Sequence, residues 1–227
     1  MGTAVMKHVH NAFSIDEDLI RIPAEDAASI CEAADLPEDA LTLLQSDDRP
    51  ASYLTRLLQS KRYMDALTFL AYGLPKREAV WWACVTLQRW LGDDLSEQDQ
   101  RALAVVEAWI YDPSQDLCRA AGDVAAESKF QTPAALAAAG VYWAGESIAP
   151  PDCPVVPPHG QLTHKAVAHA LILVLMREAD AQARENATQL FLAMGIKIAQ
   201  GATSRTALES VASGGSAGID TTISACG

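Results

Sequence analysis

Apolar residues recur at intervals of three and four along most of the chain, and prolines, glycines or short polar turns interrupt that pattern every 10 to 20 residues or so. Such spacing is typical of helices that bury one face. The pattern predicts an all-α protein of about eight to ten helices, built as a compact multi-helix bundle or a short irregular α-solenoid. No strict repeat accompanies it, which favours the bundle.

Capping residues and prolines mark where the helices are expected to begin. A Ser, Thr or Asp side chain can accept a hydrogen bond from the first helical turn, and proline fits there because its missing N–H has no partner to lose. The residues expected to start helices in this way are Pro23, Pro50, Ser96, Ser114 or Asp112, Thr132 and Thr163. The lead-in before Pro23 carries Ile15, Leu19, Ile20 and Ile22 as candidate anchors.

One aromatic helix stands at mid-chain and organises the rest. It is predicted over Leu74 to Trp90 and holds three of the five tryptophans, with Pro75 in its first turn. Trp81 and Trp82 are neighbours, so their side chains point about 100° apart on a helix. Two interpretations follow: the helix is fully enclosed, or one indole lies on a surface that a partner covers.

Proline content divides the chain into segments. We expect a flexible lead-in over 1–22, an N-terminal helical lobe over 23–147 and a proline-rich linker over 148–162. The proline-rich segment is either an extended linker between two lobes or a loop that wraps one of them. A C-terminal helical segment, 163–201, then packs on the first lobe. The remaining residues, 202–227, are rich in Gly, Ser, Thr and Ala and are expected to form a disordered tail.

Charge narrows the range of partners. The chain of 227 residues has 17 Lys and Arg against 29 Asp and Glu, a formal net charge of −12. Such a protein repels phosphate backbones, so we expect no nucleic-acid partner, whereas a basic protein partner is permitted. The longest apolar run, Ala166 to Met176, is shorter than the roughly 20 residues of a membrane span. These features predict a cytoplasmic protein.

Candidate chemistry along the chain is sparse. The five cysteines include no CxxC pair and are expected to be free thiols in a reducing compartment. His164 and His169 are five residues apart, not the four that place two ligands on one helix face, so no metal or cofactor is predicted. An enzyme would need Cys84 or Glu78 in an accessible cleft with a perturbed pKa. A sheet, or an open cleft where ionisable side chains converge, would count against a purely binding role.

The first turn of the central helix allows two interpretations. Lys76, Arg77 and Glu78 can form a solvated turn in which Glu78 favours the helix dipole. Alternatively, Arg77 enters a buried or interfacial ion pair with an acidic residue elsewhere. Two basic residues at a helix N-terminus interact unfavourably with the helix dipole, so another contact is needed to hold them there. Together with Trp81 and Trp82, these residues are the candidate interface or structural-core residues, and no catalytic residue is assigned.

The segment from Tyr63 to Cys84, YMDALTFLAYGLPKREAVWWAC, resembles the core of an uncharacterised bacterial family found near type VI secretion genes. The similarity extends over about Ile20 to Gly201 and carries no known chemistry. It implies a Gram-negative cytoplasmic protein. We therefore expect a non-enzymatic adaptor or chaperone whose partner is another protein, such as a secretion effector or spike component. The alternatives are a toxin-neutralising immunity protein and an enzyme with an unrecognised site.

Overall fold

A computed structural model describes Ile15 and residues 18–203 of the chain, and these residues contain ten α-helices and no strand. The all-α prediction is therefore confirmed. The expected tail from residue 204 onward, His8, His10 and Cys226 lie outside the described residues. The helices are α1 (Ala27–Ala34), α2 (Glu38–Leu41), α3 (Pro50–Gln59), α4 (Tyr63–Gly73), α5 (Lys76–Leu91), α6 (Glu97–Tyr111), α7 (Gln115–Glu127), α8 (Pro133–Tyr142), α9 (Leu162–Leu175) and α10 (Ala181–Ala199), with a 3-10 turn at Gly92–Asp94.

Side-chain caps begin five of these helices. Ser96, Ser114 and Thr132 accept hydrogen bonds from the backbone N–H three residues on, as predicted for α6, α7 and α8. Asp26 does the same for α1, so that helix begins at Ala27 and not at Pro23. The fifth cap is Asp180, which begins α10.

The expectation that Thr163 caps α9 is wrong. Helix α9 begins at Leu162, the residue before Thr163. Its N-cap residue is Gln161, whose side chain makes no capping hydrogen bond. Thr163 is fully buried, and its hydroxyl has no hydrogen-bond partner among the described residues. Its backbone carbonyl lies close to Gly140 of α8, at 3.5 Å from where a Cβ would stand. Thr163 therefore lies inside α9, with its backbone close to α8, and does not cap the helix.

Helix α5 lies at the centre of the core and packs against α6, α8, α9 and α10. It starts at Lys76, with Pro75 as its N-cap residue. Trp82 is fully buried, and its indole Nε1 donates a 2.9 Å hydrogen bond to the carbonyl of Phe191 on α10. Gly195 lies against the same ring, so α10 approaches α5 closely. The mid-chain aromatic helix thus joins the C-terminal helix to the rest of the core.

The proline-rich segment between α8 and α9 contains no helix, as predicted, and most of it is exposed. Its ends are tied together at Ser147, whose buried hydroxyl accepts hydrogen bonds from the backbone N–H groups of Ala149 and Val156. A backbone hydrogen bond from Ile148 to Val156 adds to this neck. The segment therefore returns on itself instead of running straight between two helices.

The last residues of the predicted lead-in join the core. Leu19 and Ile22 are buried and Ile15 is partly buried against the core, in agreement with their role as anchors. Ile20 is 72% exposed, so its assignment as an anchor is wrong. The backbone N–H of Arg21 donates to the carbonyl of Ala199, so the lead-in lies against the end of α10. This contact places the Arg21 side chain beside α5. Among the described residues, no helix has the length and apolar character needed to cross a membrane.

Candidate functional site: a cleft between helices α5 and α6

A surface cleft of about 410 Å³ opens where the first half of α5 faces the second half of α6. Its volume lies in the range of pockets that bind small molecules or single side-chain clusters of a peptide. Charged and aromatic groups surround an apolar floor. The lining residues are Arg21, Arg77, Glu78, Trp81, Cys84, Val85, Glu107, Ile110, Tyr111 and Thr203.

One wall of the cleft carries an ion pair. The guanidinium Nη1 of Arg21 lies 2.9 Å from the carboxylate Oε1 of Glu78, and both side chains are about a quarter exposed. Glu78 stands in the first turn of α5, where a negative charge also favours the helix dipole. The two charges neutralise each other at the cleft wall and tie the lead-in to the start of α5.

Arg77 contacts the C-terminal end of α6. Its Nε donates a 2.7 Å hydrogen bond to the carbonyl of Ile110, in the last turn of α6. A cation at a helix C-terminus satisfies a carbonyl that has no partner within the helix and favours the dipole. Neither interpretation of this turn is complete among the described residues: Glu78 is paired with Arg21 and not merely solvated, and Arg77 contacts a carbonyl and not a carboxylate. This contact also explains why a basic residue is held at the start of α5.

The two neighbouring tryptophans have separate environments. Trp82 is in the core, whereas Trp81 is partly exposed and forms part of the cleft. The interpretation that encloses the whole helix is therefore wrong, and one indole does lie at the surface. Of the five candidate residues, Arg77, Glu78 and Trp81 line this cleft, Trp82 belongs to the core, and the half-buried Lys76 lies outside the cleft lining.

Tyr111 and Arg21 are functional candidates that sequence reasoning missed. Tyr111 is the last residue of α6 and is 77% exposed, the largest exposure among the large hydrophobic residues described. An aromatic ring so far in solvent, beside a second aromatic, is typical of a contact surface. Pro113 marks the end of α6 in the sequence, but it does not reveal which way the Tyr111 ring faces. Arg21 reaches the site only through the tertiary contact of the lead-in.

Two ionisable groups relevant to the enzyme hypothesis do lie at this cleft. Cys84 lines its floor but is 1% exposed. Glu78 is partly exposed and paired with Arg21. Ionisable side chains therefore converge here, which is the arrangement that counts against a purely binding role. Arg21 pairs with Glu78 and Arg77 bonds a carbonyl, so these three side chains also hold elements of the fold together. An enzyme with an unrecognised site is therefore kept as an alternative to a binding protein.

The cysteines have the environments expected of free thiols. Cys31, Cys84 and Cys118 are buried, Cys153 is exposed, and none of these four forms a disulfide. Burial raises the pKa of the Cys31 and Cys118 thiols, which disfavours the reactive thiolate. Within the part of the chain that the structure describes, no group of three or more His, Cys, Asp and Glu side chains is arranged to hold a metal ion.

A second depression, of about 530 Å³, lies between the N-terminal ends of α4 and α10. Arg62 at its edge binds the carboxylates of Asp39 and Asp65, at 2.5 Å and 2.6 Å respectively. Gln189 donates to the Tyr63 hydroxyl across the same gap. Tyr63, the aromatic lining residue of this depression, is half-buried, whereas Tyr111 at the cleft between α5 and α6 is 77% exposed, so that cleft is the better candidate for binding.

The fold and the cleft define a class: an all-helical protein with an amphipathic surface cleft whose rim is aromatic. The chain belongs to a family of unknown function (DUF6931), which matches residues 53–199. The match confirms membership of an uncharacterised family and includes α5 and α6, which form most of the cleft. No curated protein and no solved structure matches the chain.

Proposed function

We propose that this protein is a non-enzymatic adaptor or chaperone, accessory to bacterial type VI secretion, and that the cleft between α5 and α6 binds a segment of its protein partner. The observation that carries the proposal is the exposure of Tyr111 at the cleft that the partly exposed Trp81 also lines. Aromatic side chains at the edge of a concave site are the usual anchors of protein interfaces.

The remaining lining fits the same role. The floor contributes apolar surface from Val85 and Ile110, and the wall contributes charges of both signs. A peptide with an apolar side chain and neighbouring polar groups suits such a mixture better than a purely apolar ligand does. The secretion context comes from the resemblance of the segment Tyr63 to Cys84, and it leads us to propose an effector or spike component as the partner.

A capture experiment tests the binding role. The full chain is immobilised and exposed to lysate from the source bacterium, and bound proteins are identified by mass spectrometry. Tyr111→Asp places a charge on the cleft rim without disturbing the core, since the ring is 77% exposed. Met176→Asp is the matched control, because Met176 is 54% exposed and lies outside the cleft.

We expect a secretion component to be retained by the wild type and by Met176→Asp and to be lost from Tyr111→Asp. Retention of the same proteins by all three would contradict the proposal. Deleting the gene separates the two binding roles. Failed effector export supports the adaptor or chaperone, whereas self-intoxication supports the immunity protein.

A further inference from the structure

The described chain ends inside the wall of the cleft. Thr203 is a lining residue, and it follows directly on Ala202, whose backbone N–H donates to the carbonyl of Lys197 at the end of α10. A further 24 residues, 204–227, follow in the sequence. The segment therefore starts at the lining of the cleft.

The sequence immediately after Thr203 has the chemistry that the cleft accepts. It reads Ser-Arg-Thr-Ala-Leu-Glu-Ser-Val-Ala, with an apolar Leu208 between the charges of Arg205 and Glu209. Arg77 bonds through its Nε, and among the described residues nothing accepts from its Nη1 and Nη2. Those two groups are donors of the kind that bind a carboxylate such as that of Glu209. The floor beside them is apolar.

Distance permits the contact. The cube root of the cleft volume is about 7 Å. Five residues in extended conformation span up to ~17 Å, so Leu208 reaches every part of the cleft from Thr203.

We propose that residues 204–212 of this chain are a resident ligand of the cleft, with Leu208 on its apolar floor, and that a partner must displace them. This inference rests on the proposed function, because the partner's segment and residues 204–212 would occupy the same cleft. It adds a regulation: the chain's own segment competes with the partner, and the partner's segment resembles it in combining an apolar side chain with charges of both signs.

Covalent attachment makes even weak recognition sufficient. A segment joined to its site by a short connection has an effective concentration on the order of 1 mM. An intrinsic dissociation constant of ~1 mM then gives about half occupancy, and ~0.1 mM gives about nine-tenths. A partner in free solution can bind only the unoccupied fraction of the cleft, so its apparent affinity is reduced roughly two-fold to ten-fold.

Nuclear magnetic resonance of the Trp81 indole N–H tests the inference directly. The signal is assigned by its loss in Trp81→Phe. Four proteins are compared: the full chain, a chain that ends at Thr203, and full chains carrying Leu208→Asp or Ile219→Asp. The last two are matched, since each places a carboxylate on an aliphatic position of the same C-terminal segment. A synthetic peptide of residues 204–212 is then titrated into the shortened chain.

We expect the shortened chain and Leu208→Asp to share one Trp81 shift, and the full chain and Ile219→Asp to share another. The peptide should move the shortened chain's signal towards that of the full chain, and a peptide with Leu208→Asp should not. Identical Trp81 shifts in the full and shortened chains would overturn the inference. So would equal shifts in the two aspartate variants.

The outcome is distinct from that of the capture experiment. If the peptide binds but Tyr111→Asp captures the same proteins as the wild type, the resident segment stands and the proposed partner site fails. If capture depends on Tyr111 but the Trp81 signal ignores the segment, the partner site stands and the inference fails. Where both hold, the chain that ends at Thr203 captures the partner two-fold to ten-fold more tightly than the full chain.

Discussion

Replacing Gly195 by alanine should destabilise this protein although alanine is the better helix former. A Cβ at position 195 would stand 2.7 Å from Leu70 Cδ2, 2.7 Å from Trp82 Cε2 and 2.8 Å from Trp82 Cζ2. Carbon atoms in contact prefer about 3.5–4.0 Å, so each neighbour would have to retreat by roughly 1 Å. The Leu70 side chain can rotate, but the indole is rigid and is held by its hydrogen bond to Phe191.

The change in the free energy of unfolding is the sum of two opposing contributions. Overpacking of a well-filled core costs about 1–3 kcal/mol, and the contact with a rigid ring places this site at the upper end. Alanine in place of glycine in a helix interior returns about 1 kcal/mol. We therefore expect a net loss of about 2 kcal/mol in the free energy of unfolding, equivalent to a fall in Tm of about 4–8 °C for a chain of this size.

Gly140→Ala is the matched control on another buried helix. A Cβ there would meet the Thr163 carbonyl oxygen at 3.5 Å and Val167 Cγ2 at 3.6 Å, which are ordinary contacts. The propensity term then dominates, and we expect Gly140→Ala to be neutral or up to ~1 kcal/mol more stable. Urea unfolding followed by circular dichroism at 222 nm measures both variants. A Gly195→Ala protein as stable as the wild type would refute the close approach of α10 to Trp82.

Two further predictions concern buried polar groups. His164 Nε2 lies 3.1 Å from the Leu74 carbonyl oxygen, its Nδ1 is buried without a described partner, and burial lowers the pKa of His164 below its usual 6.5. The unfolded chain therefore binds a proton first as pH falls, so stability is lost from about pH 6.5 downward and is unaffected above it. His164→Gln keeps a donor for Leu74 without titrating, so its unfolding free energy should fall less between pH 8 and pH 5 than that of the wild type; equal falls would contradict the assignment. Asp48 is 7% exposed and pairs with Arg56, so Asp48→Ala should lower the free energy of unfolding in urea by about 2–3 kcal/mol. Glu127→Ala breaks an exposed pair with Arg101 and should lower it by less than ~1 kcal/mol. Similar losses in the two variants would show that burial of the Asp48 pair is unimportant.

Local signals in the sequence predicted the helices well because they depend on neighbouring residues. The caps at Ser96, Ser114 and Thr132 need only the backbone three positions on. The central helix was found within two residues of its ends, since its aromatic pattern and its flanking Pro75 and Gly92 are equally local. The prediction that Thr163 caps α9 was wrong because tertiary packing buries this residue, and the local sequence contains no signal for that packing.

The cleft depends on contacts between residues far apart in the chain. Arg21 reaches Glu78 across 57 positions, and Arg77 reaches Ile110 across 33. The candidate residues at the start of α5 were named from one helix alone, and three of them do line the cleft. The opposite wall, including Tyr111, could not be identified because the sequence does not state which helix lies beside α5.

The hydrogen bond between Trp82 and Phe191 joins positions 109 residues apart. During synthesis the central helix leaves the ribosome long before α10 does, so its largest aromatic ring has neither its carbonyl acceptor nor the glycine surface that covers it. The core is complete only when α10 packs on α5, and contacts between residues so far apart in the sequence form slowly. A nascent or proteolysed chain that stops before Ala181 lacks both the Phe191 carbonyl that accepts from the Trp82 indole and the Gly195 surface that lies against its ring.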